Sequence, residues 1–362
     1  MDSLWGAWGA WGLLAVPPLA VALDLWLGDP RGLPHPVCGV GRVLRPAEAF
    51  ARRHANGLPE GERPAALRRA GVLAVVAVAG GTALAVWGLV SLPWLGALAA
   101  VYFAWAGLAL GSLLREGRRT LHAIEHGTPA EACAAVSMLV SRDTAALDRP
   151  DLRRALAETL AENFNDGFVA PLFWLLAGGP AALWGYKAAS TMDSMWGYRT
   201  DLWRDLGRAC ARLDDVLAWL PARLSALFLW LSAPMVLTGG GRGGWQGFGP
   251  MARDARSMES PNAGWPMSAA AWLHGAPMGG PTPYFGVVKH KPVLGPRSCP
   301  GSCACGHAEP AGGAPSVPAS GPAFDPAWDA DRLEGLLRHL RVAGLVAAGC
   351  LWGAALLLRL LA

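Results

Sequence analysis

Glu158, Glu162 and Asp166 follow one another at four-residue intervals in ALAETLAENFNDGFVAPLFW. On a helix that spacing puts three carboxylates on one face. Like charges at i,i+4 repel, so such a row normally has a cation beside it. The chain then turns apolar over residues 168–184, and Lys187, Asp193, Asp201, Asp205 and the adjacent pair Asp214 and Asp215 lie within or just after that run. Carboxylates beside a membrane-grade apolar run suit a Mg2+ site that handles phosphates. The alternative is a charged helix with solvated acids.

The elements that must position these groups are mostly apolar. The 362 residues could hold one large or two ordinary domains. Hydrophobic residues make up 53% and charged ones only 16%, with 18 Trp, and the mean hydropathy is +0.29. Ordinary soluble domains carry roughly 25% charged residues. The expected class is therefore all-α: a polytopic integral membrane protein with about four to six membrane helices, amphipathic helices and ordered polar loops. The net charge of +4 is small and the basic residues are dispersed, which argues against nucleic-acid binding. Of the seven Cys, only Cys299, Cys303 and Cys305 cluster, so no disulfide framework is implied.

Residues 4–27 read as a first membrane helix kinked at Pro17 and Pro18, without the basic start or cleavage site of a signal peptide. GDPRGLPHPVCGVGR follows as an ordered turn whose polar groups are Asp29 and His35. Residues 42–69 carry seven Arg and no Lys, as a cytoplasmic loop would. Residues 71–111 read as a helical hairpin divided near Pro93. Thr128-Pro129-Ala130-Glu131 marks a helix start. His122 and His126 lack a third ligand and read as a surface pair. Residues 216–237 form another apolar run, and Gly239 to Gly249 lacks the pattern of a P-loop.

SPNAGWP, at 260–266, is a rigid polar turn, and GGPTPYFG, at 279–286, a second tight loop ahead of Lys289 and Lys291. The Pro- and Gly-rich stretch 296–330 reads as a linker. It holds Cys299, Cys303, Cys305 and His307, four soft ligands that could bind a structural Zn2+, although their spacing is not that of paired CxxC knuckles. The division expected is a membrane-embedded domain over 1–295, the linker, and 331–362 as an amphipathic helix plus a final membrane helix. The loops 28–70, 112–165, 186–215 and 239–340 all carry basic residues. They cannot all be cytoplasmic if every apolar run spans, and the run at 168–185 is the one expected to be buried among other helices instead.

DLWLGDPRGLPHPVCGVGR, AENFNDGFVAPLFW, YKAASTMDSMWGYR, SPNAGWP and GGPTPYFG together resemble the motifs of the cobinamide-phosphate synthase family of cobalamin biosynthesis. Ser141-Arg142-Asp143-Thr144 is similar to that family's short Arg-Asp-Thr motif. The resemblance runs from about residue 24 to 295 and omits the tail. It implies an ATP-dependent ligase of the bacterial cytoplasmic membrane. That enzyme would join aminopropanol, or its O-phosphate, to a propionate of adenosylcobyric acid, giving adenosylcobinamide (phosphate).

Such an amide bond needs an activated carboxylate, hence Mg2+ and ATP, cations for phosphates, and a base for the amine. The catalytic candidates are Glu158, Glu162, Asp166, Lys187 and Asp193, with Glu162, Asp166, Asp214 and Asp215 as Mg2+ ligands. Asp29, His35, Arg142, Asn163, Asn165, Ser260, Asn262 and Lys289 are the substrate-binding candidates. Expected partners are the corrinoid, the aminoalcohol, the lipid bilayer and other late-pathway membrane enzymes. Two other classes stay open. One is a Mg2+-dependent membrane transferase acting on a lipid or isoprenyl diphosphate, for which Asp201-x3-Asp205 has the right flavour. The other is a non-catalytic transporter subunit or scaffold.

Overall fold

In the computed structural model, residues 9–29, 35–140, 142–237, 247–284, 287–296 and 327–361 are described. The Cys299–His307 cluster lies outside them. The chain runs α1 (Gly9–Leu27), α2 (Pro36–Asn56), α3 (Arg63–Val75), α4 (Gly81–Val90), α5 (Gly96–Gly107), α6 (Leu110–His126) and α7 (Pro129–Ser137). It continues through α8 (Arg149–Phe164), α9 (Ala170–Trp196), α10 (Arg208–Leu217), α11 (Trp219–Val236), α12 (Phe248–Ala255) and α13 (Gly264–His274). A two-stranded antiparallel hairpin, β1 (Met278–Tyr284) and β2 (Val287–Leu294), precedes α14 (Ala330–Leu361).

The starts of these helices are chemically explicable. Thr128 and Glu131 form a reciprocal capping box at α7. Asp148 caps α8 by accepting from the Asp151 amide at 2.9 Å. Asp24, fully buried near the end of α1, accepts from the Leu110 and Gly111 amides at 2.9 and 3.1 Å. It thereby satisfies the exposed N–H groups at the start of α6 inside the apolar layer. A Cβ on Gly111 would lie 1.9 Å from the Asp24 carbonyl, so this contact requires glycine.

Among the described residues, five helical segments are long and apolar enough to cross a membrane: Arg63–Val90, Gly96–His126, Arg149–Trp196, Trp219–Val236 and Ala330–Leu361. The protein is an all-α polytopic membrane protein, with one small hairpin among the described residues. The expected break near Pro93 is present between α4 and α5, whereas the amphipathic and membrane helices expected after 331 are one continuous helix. Of the block expected as a tight loop at 279–286, residues 279–284 lie in strand β1, and 285–286 lie outside the described residues.

The third of those segments is broken. Gly178 and Gly179 leave the helix, Gly179 at φ 69° and ψ −170°, a conformation essentially limited to glycine. Asp166 and Ser194 line the same cavity, so the arms 165–177 and 180–196 double back on each other. At ~1.5 Å per residue the second arm is about 26 Å long, short of the ~30 Å hydrocarbon layer, whereas the first continues α8 without a helical break. The apolar window of this segment is 67% buried, the highest of the five. Protein rather than lipid therefore covers the broken backbone.

This geometry removes the topological conflict posed by the basic loops. A segment that enters and returns keeps its two flanks at one end of the molecule. There Arg68 of α3 pairs with Asp205 at 2.9 Å. The block after α11 folds back to the same end, where Asn262 donates to the Asp215 carbonyl at 2.9 Å and the Gly279 amide donates to Glu158 at 2.7 Å.

Candidate active site

The carboxylate row is real, and each member has its own cation from a different part of the chain. Glu158 forms an ion pair with Arg142 of the loop after α7, both side chains nearly fully buried. Glu162, one turn on, lies in the electrostatic range of Lys291 of β2 and of Arg142. Asp166 has Lys187 of α9 beside it, together with Glu162 and Asp193. The like-charge row is thus compensated within the fold.

Asp166 sits in a π-helical turn, Asn165–Val169, that joins α8 to α9. Such turns recur at functional sites because they re-aim one side chain. Here Asn165 is buried, accepts from the Ser225 hydroxyl at 3.0 Å and donates to Asp166 at 2.7 Å. Asn165 is a positioning residue for that carboxylate.

Beside the row opens a cavity of about 410 Å3, lined by Arg142, Glu162, Asn163, Asp166 and Lys291, with Thr159, Ser194 and Tyr198 completing its polar wall. Asn163 is held by a 2.9 Å bond from its Nδ2 to the Thr159 carbonyl. Glu158 does not line the cavity: its two oxygens are taken by Arg142 and the Gly279 amide.

Behind the cavity wall lies a second tier. Lys187 lies in the electrostatic field of Asp166, Asp29 and Asp214. Asp29 and His35, known from sequence only as parts of a signature, are thereby brought to the same site. His35 caps α2, accepting from the Val37 amide at 3.3 Å, and its ring tilts against Trp184. Burial holds the His35 imidazole below its usual pKa, Asp29 opposing and Lys187 reinforcing that effect.

Asp214 and Asp215 diverge, as adjacent residues on a helix must. Asp214 faces Asp166 and Asp193. Burial, reinforced by the charges of Asp166, Asp193 and Asp215, holds its carboxyl well above the usual carboxylate range. Its Oδ1 is buried without a hydrogen-bond partner among the described residues.

Three substrate-binding candidates occupy other positions. Ser260 Oγ accepts from the Asn262 and Ala263 amides at 3.3 and 3.2 Å, and Asn262 ties this turn to α10. Both shape the start of α13. Lys289 is exposed and pairs with exposed Glu259 at 2.6 Å. The cavity lysine is Lys291, two residues further along β2. Sequence reasoning left Lys291, Thr159, Ser194 and Tyr198 out of the site. The i,i+4 pairs Thr159/Asn163 and Ser194/Tyr198 were the available signal.

A family model described as CobD/Cbib protein matches residues 17–303. The chain belongs to the CobD/CbiB family. The cobalamin biosynthesis protein CobD of Geobacter metallireducens is 42% identical over 282 residues, covering 76% of this chain and 84% of the relative. Its counterpart from Klebsiella pneumoniae is 38% identical over 285 residues, covering 76% and 85%. The cobalamin biosynthesis protein CbiB of Salmonella typhimurium is 36% identical over the same length and shares. No solved structure matches significantly. The CobD/Cbib match contains every residue that lines the cavity and stops before α14.

Proposed function

We propose that this CobD/CbiB-family chain acts in cobalamin biosynthesis as an ATP-dependent amide-forming ligase. It would join a corrin propionate of adenosylcobyric acid to aminopropanol or its O-phosphate. The observation that supports this most is the cavity wall, which sets Glu162 and Asp166 beside Arg142 and Lys291. Paired acids and cations on one apolar scaffold suit a reaction in which phosphate is carried and a carboxylate is activated.

In this reading the substrate carboxylate attacks the terminal phosphorus of ATP and ADP leaves. The amine nitrogen then attacks the acyl phosphate carbon, phosphate leaves, and the amine gives up a proton. Arg142 and Lys291 hold phosphate oxygens. Asp214, whose carboxyl is held above the usual carboxylate range by burial, is the group assigned to take up the amine proton. Lys187 holds the acids together between these roles.

The donor set fits Mg2+, which commonly binds through one or two carboxylates plus substrate phosphates. Glu162 and Asp166 would hold it, and bound Mg2+ would neutralise phosphate charge. Among the described residues no three His, Cys, Asp or Glu side chains form a ready-made metal cluster. The transferase reading draws less from the structure, because Asp205 of its Asp201-x3-Asp205 pair is engaged by Arg68.

The test is turnover by the detergent-purified protein with adenosylcobyric acid, Mg·ATP and either aminoalcohol form, read by mass spectrometry. A corrinoid amide that requires both ATP and amine supports the ligase. A folded protein that makes no product with either amine, but releases diphosphate from a lipid diphosphate, replaces it with the transferase.

A further inference from the structure

Next to the carboxylate cavity is a larger one of about 510 Å3 with the opposite electrostatic character. Arg204, Arg208 and Arg212 lie on its wall at four-residue intervals, from the turn before α10 along the helix. Like charges at that spacing repel, as in the Glu158 row. The acidic row is compensated by cations of the same chain. The arginine row is not: among the described residues, none of the three forms an ion pair. Arg68 on the same wall is neutralised by Asp205, and Arg199 lies in the field of Asp215.

The turn that carries the row is built rather than loose. Arg52 of α2 lies 4.7 Å over the Trp203 ring and donates to the Leu202 carbonyl at 3.0 Å. Trp196 stacks on Trp203, and a Cβ on Gly207 would meet the Trp196 carbonyl at 1.8 Å. Three exposed guanidinium groups therefore project from a fixed concave wall and have no carboxylate paired to them among the described residues. Their planar forks match phosphate oxygens two at a time.

We propose that this pocket binds the phosphate chain of a soluble phosphate ester. Tyr198 lines both this pocket and the carboxylate cavity, so a chain seated on the arginines lies against the wall that the two cavities share. That shared wall favours a soluble ligand over a lipid headgroup, which would need only the membrane-facing rim. Naming the ester a nucleoside triphosphate rests on the ligase reading. The binding claim itself does not.

The experiment is calorimetric titration of the full-length detergent-solubilised protein with inorganic tripolyphosphate, without corrinoid. We expect one saturable site that weakens with salt. Arg208→Gln and Arg212→Gln should each weaken it about tenfold. Arg208→Lys, which keeps the charge and loses the fork, should fall between. All three arginines are exposed, so thermal melts should stay at the wild-type value. Absent binding, or equal binding by wild type and both Gln variants, overturns the proposal. So does displacement of tripolyphosphate by phosphatidylglycerol in mixed micelles, which would assign the pocket to lipid. ATP-dependent ligation that is unchanged in the Gln variants, with tripolyphosphate binding lost, overturns the nucleoside triphosphate as the ester and leaves the ligase standing. Arginine-dependent binding without any amide product keeps the binding claim and overturns the ligase.

Discussion

The Glu158 carboxylate accepts the Gly279 amide proton at 2.7 Å, closing 121 residues of sequence between the two motif blocks. Gly279 has φ 86°, and a Cβ there would lie 2.1 Å from the Pro292 carbonyl, so the hairpin can present this amide only from glycine. With Arg142 on its other oxygen, Glu158 latches β1 and the Arg142 loop to α8. Removing one partner of a buried pair typically costs about 3–5 kcal/mol. Glu158→Ala should therefore lower the Tm in detergent by several degrees, and Glu158→Gln by less, because it still accepts from Gly279. A wild-type melt combined with lost turnover in Glu158→Ala would make it a catalytic group instead.

Glu162 and Asp166 both line the cavity. Alanine at either should leave membrane accumulation intact and reduce amide formation by at least about 10²-fold. Asn165→Ala should act through Asp166, and Asn165→Asp should restore less than wild-type activity because its Nδ2 donor is lost. Full turnover in both acid variants would remove them from the mechanism.

Lys289 and Lys291 offer an internal comparison on one strand. Lys289 and Glu259 are an exposed pair, a type worth ~0–1 kcal/mol. Lys289→Ala should be near neutral in Tm and turnover. Lys291→Ala should raise the KM for the phosphate-bearing substrate about tenfold or more, since it removes a charge-assisted contact. Equal effects of the two variants would show that β2 contributes only shape.

Much of this was legible from residue types. The four-residue carboxylate spacing, the capping box at Thr128 and the apolar runs translated directly into elements. What remained hidden depended on contacts distant in sequence. Glu158 looks like Glu162 in the chain, and only Gly279, far downstream, turns it into a latch. Lys289 and Lys291 both follow the GGPTPYFG motif, and which one enters the cavity depends on where Glu259 lies. Asp29 and His35 became site neighbours only through Lys187. The Gly178-Gly179-Pro180 break was visible as composition, but its consequence, a hairpin that returns the chain, required the Asp166–Ser194 meeting to be seen.

Gly179 should consequently be intolerant of side chains. Gly179→Ala forces a non-glycine residue into the φ 69°, ψ −170° conformation, at a cost of about 1–3 kcal/mol. The alternative for the variant is a straighter helix that pulls Ser194 away from Asp166. We expect a lower Tm together with a loss of turnover larger than the stability change explains. Gly81→Ala, at an ordinary helical position with open space around its Cβ, is the matched control and should be silent. A Gly179→Ala variant as stable and active as that control would argue that the break is not required.

A buried histidine pair contributes to the acid sensitivity of the fold. His339 Nε2 lies 2.9 Å from the Leu229 carbonyl, which can only accept, so that nitrogen carries a proton. His339 Nδ1 is then the acceptor for His274 Nε2–H at 3.0 Å. Protonating His274 does not break this bond, but it places a charge in a buried site beside His339 and Arg332, against Trp328. Burial, with those two neighbours reinforcing it, pushes the His274 pKa down from 6.5 to about 3. Between those values the unfolded chain binds a proton that the folded chain does not. Stability is therefore complete above about pH 6.5 and declines as pH falls towards 3, by up to ~1.4 kcal/mol per pH unit for this group. Carboxylates contribute to acid sensitivity as well, so the informative quantity is the difference from His274→Gln, which can still donate to His339. The gap in Tm between wild type and variant should shift in the variant's favour from pH 7 to pH 5. A gap that is constant with pH would mean that His274 takes up its proton equally in the folded and unfolded chain, so that its burial does not oppose the charge.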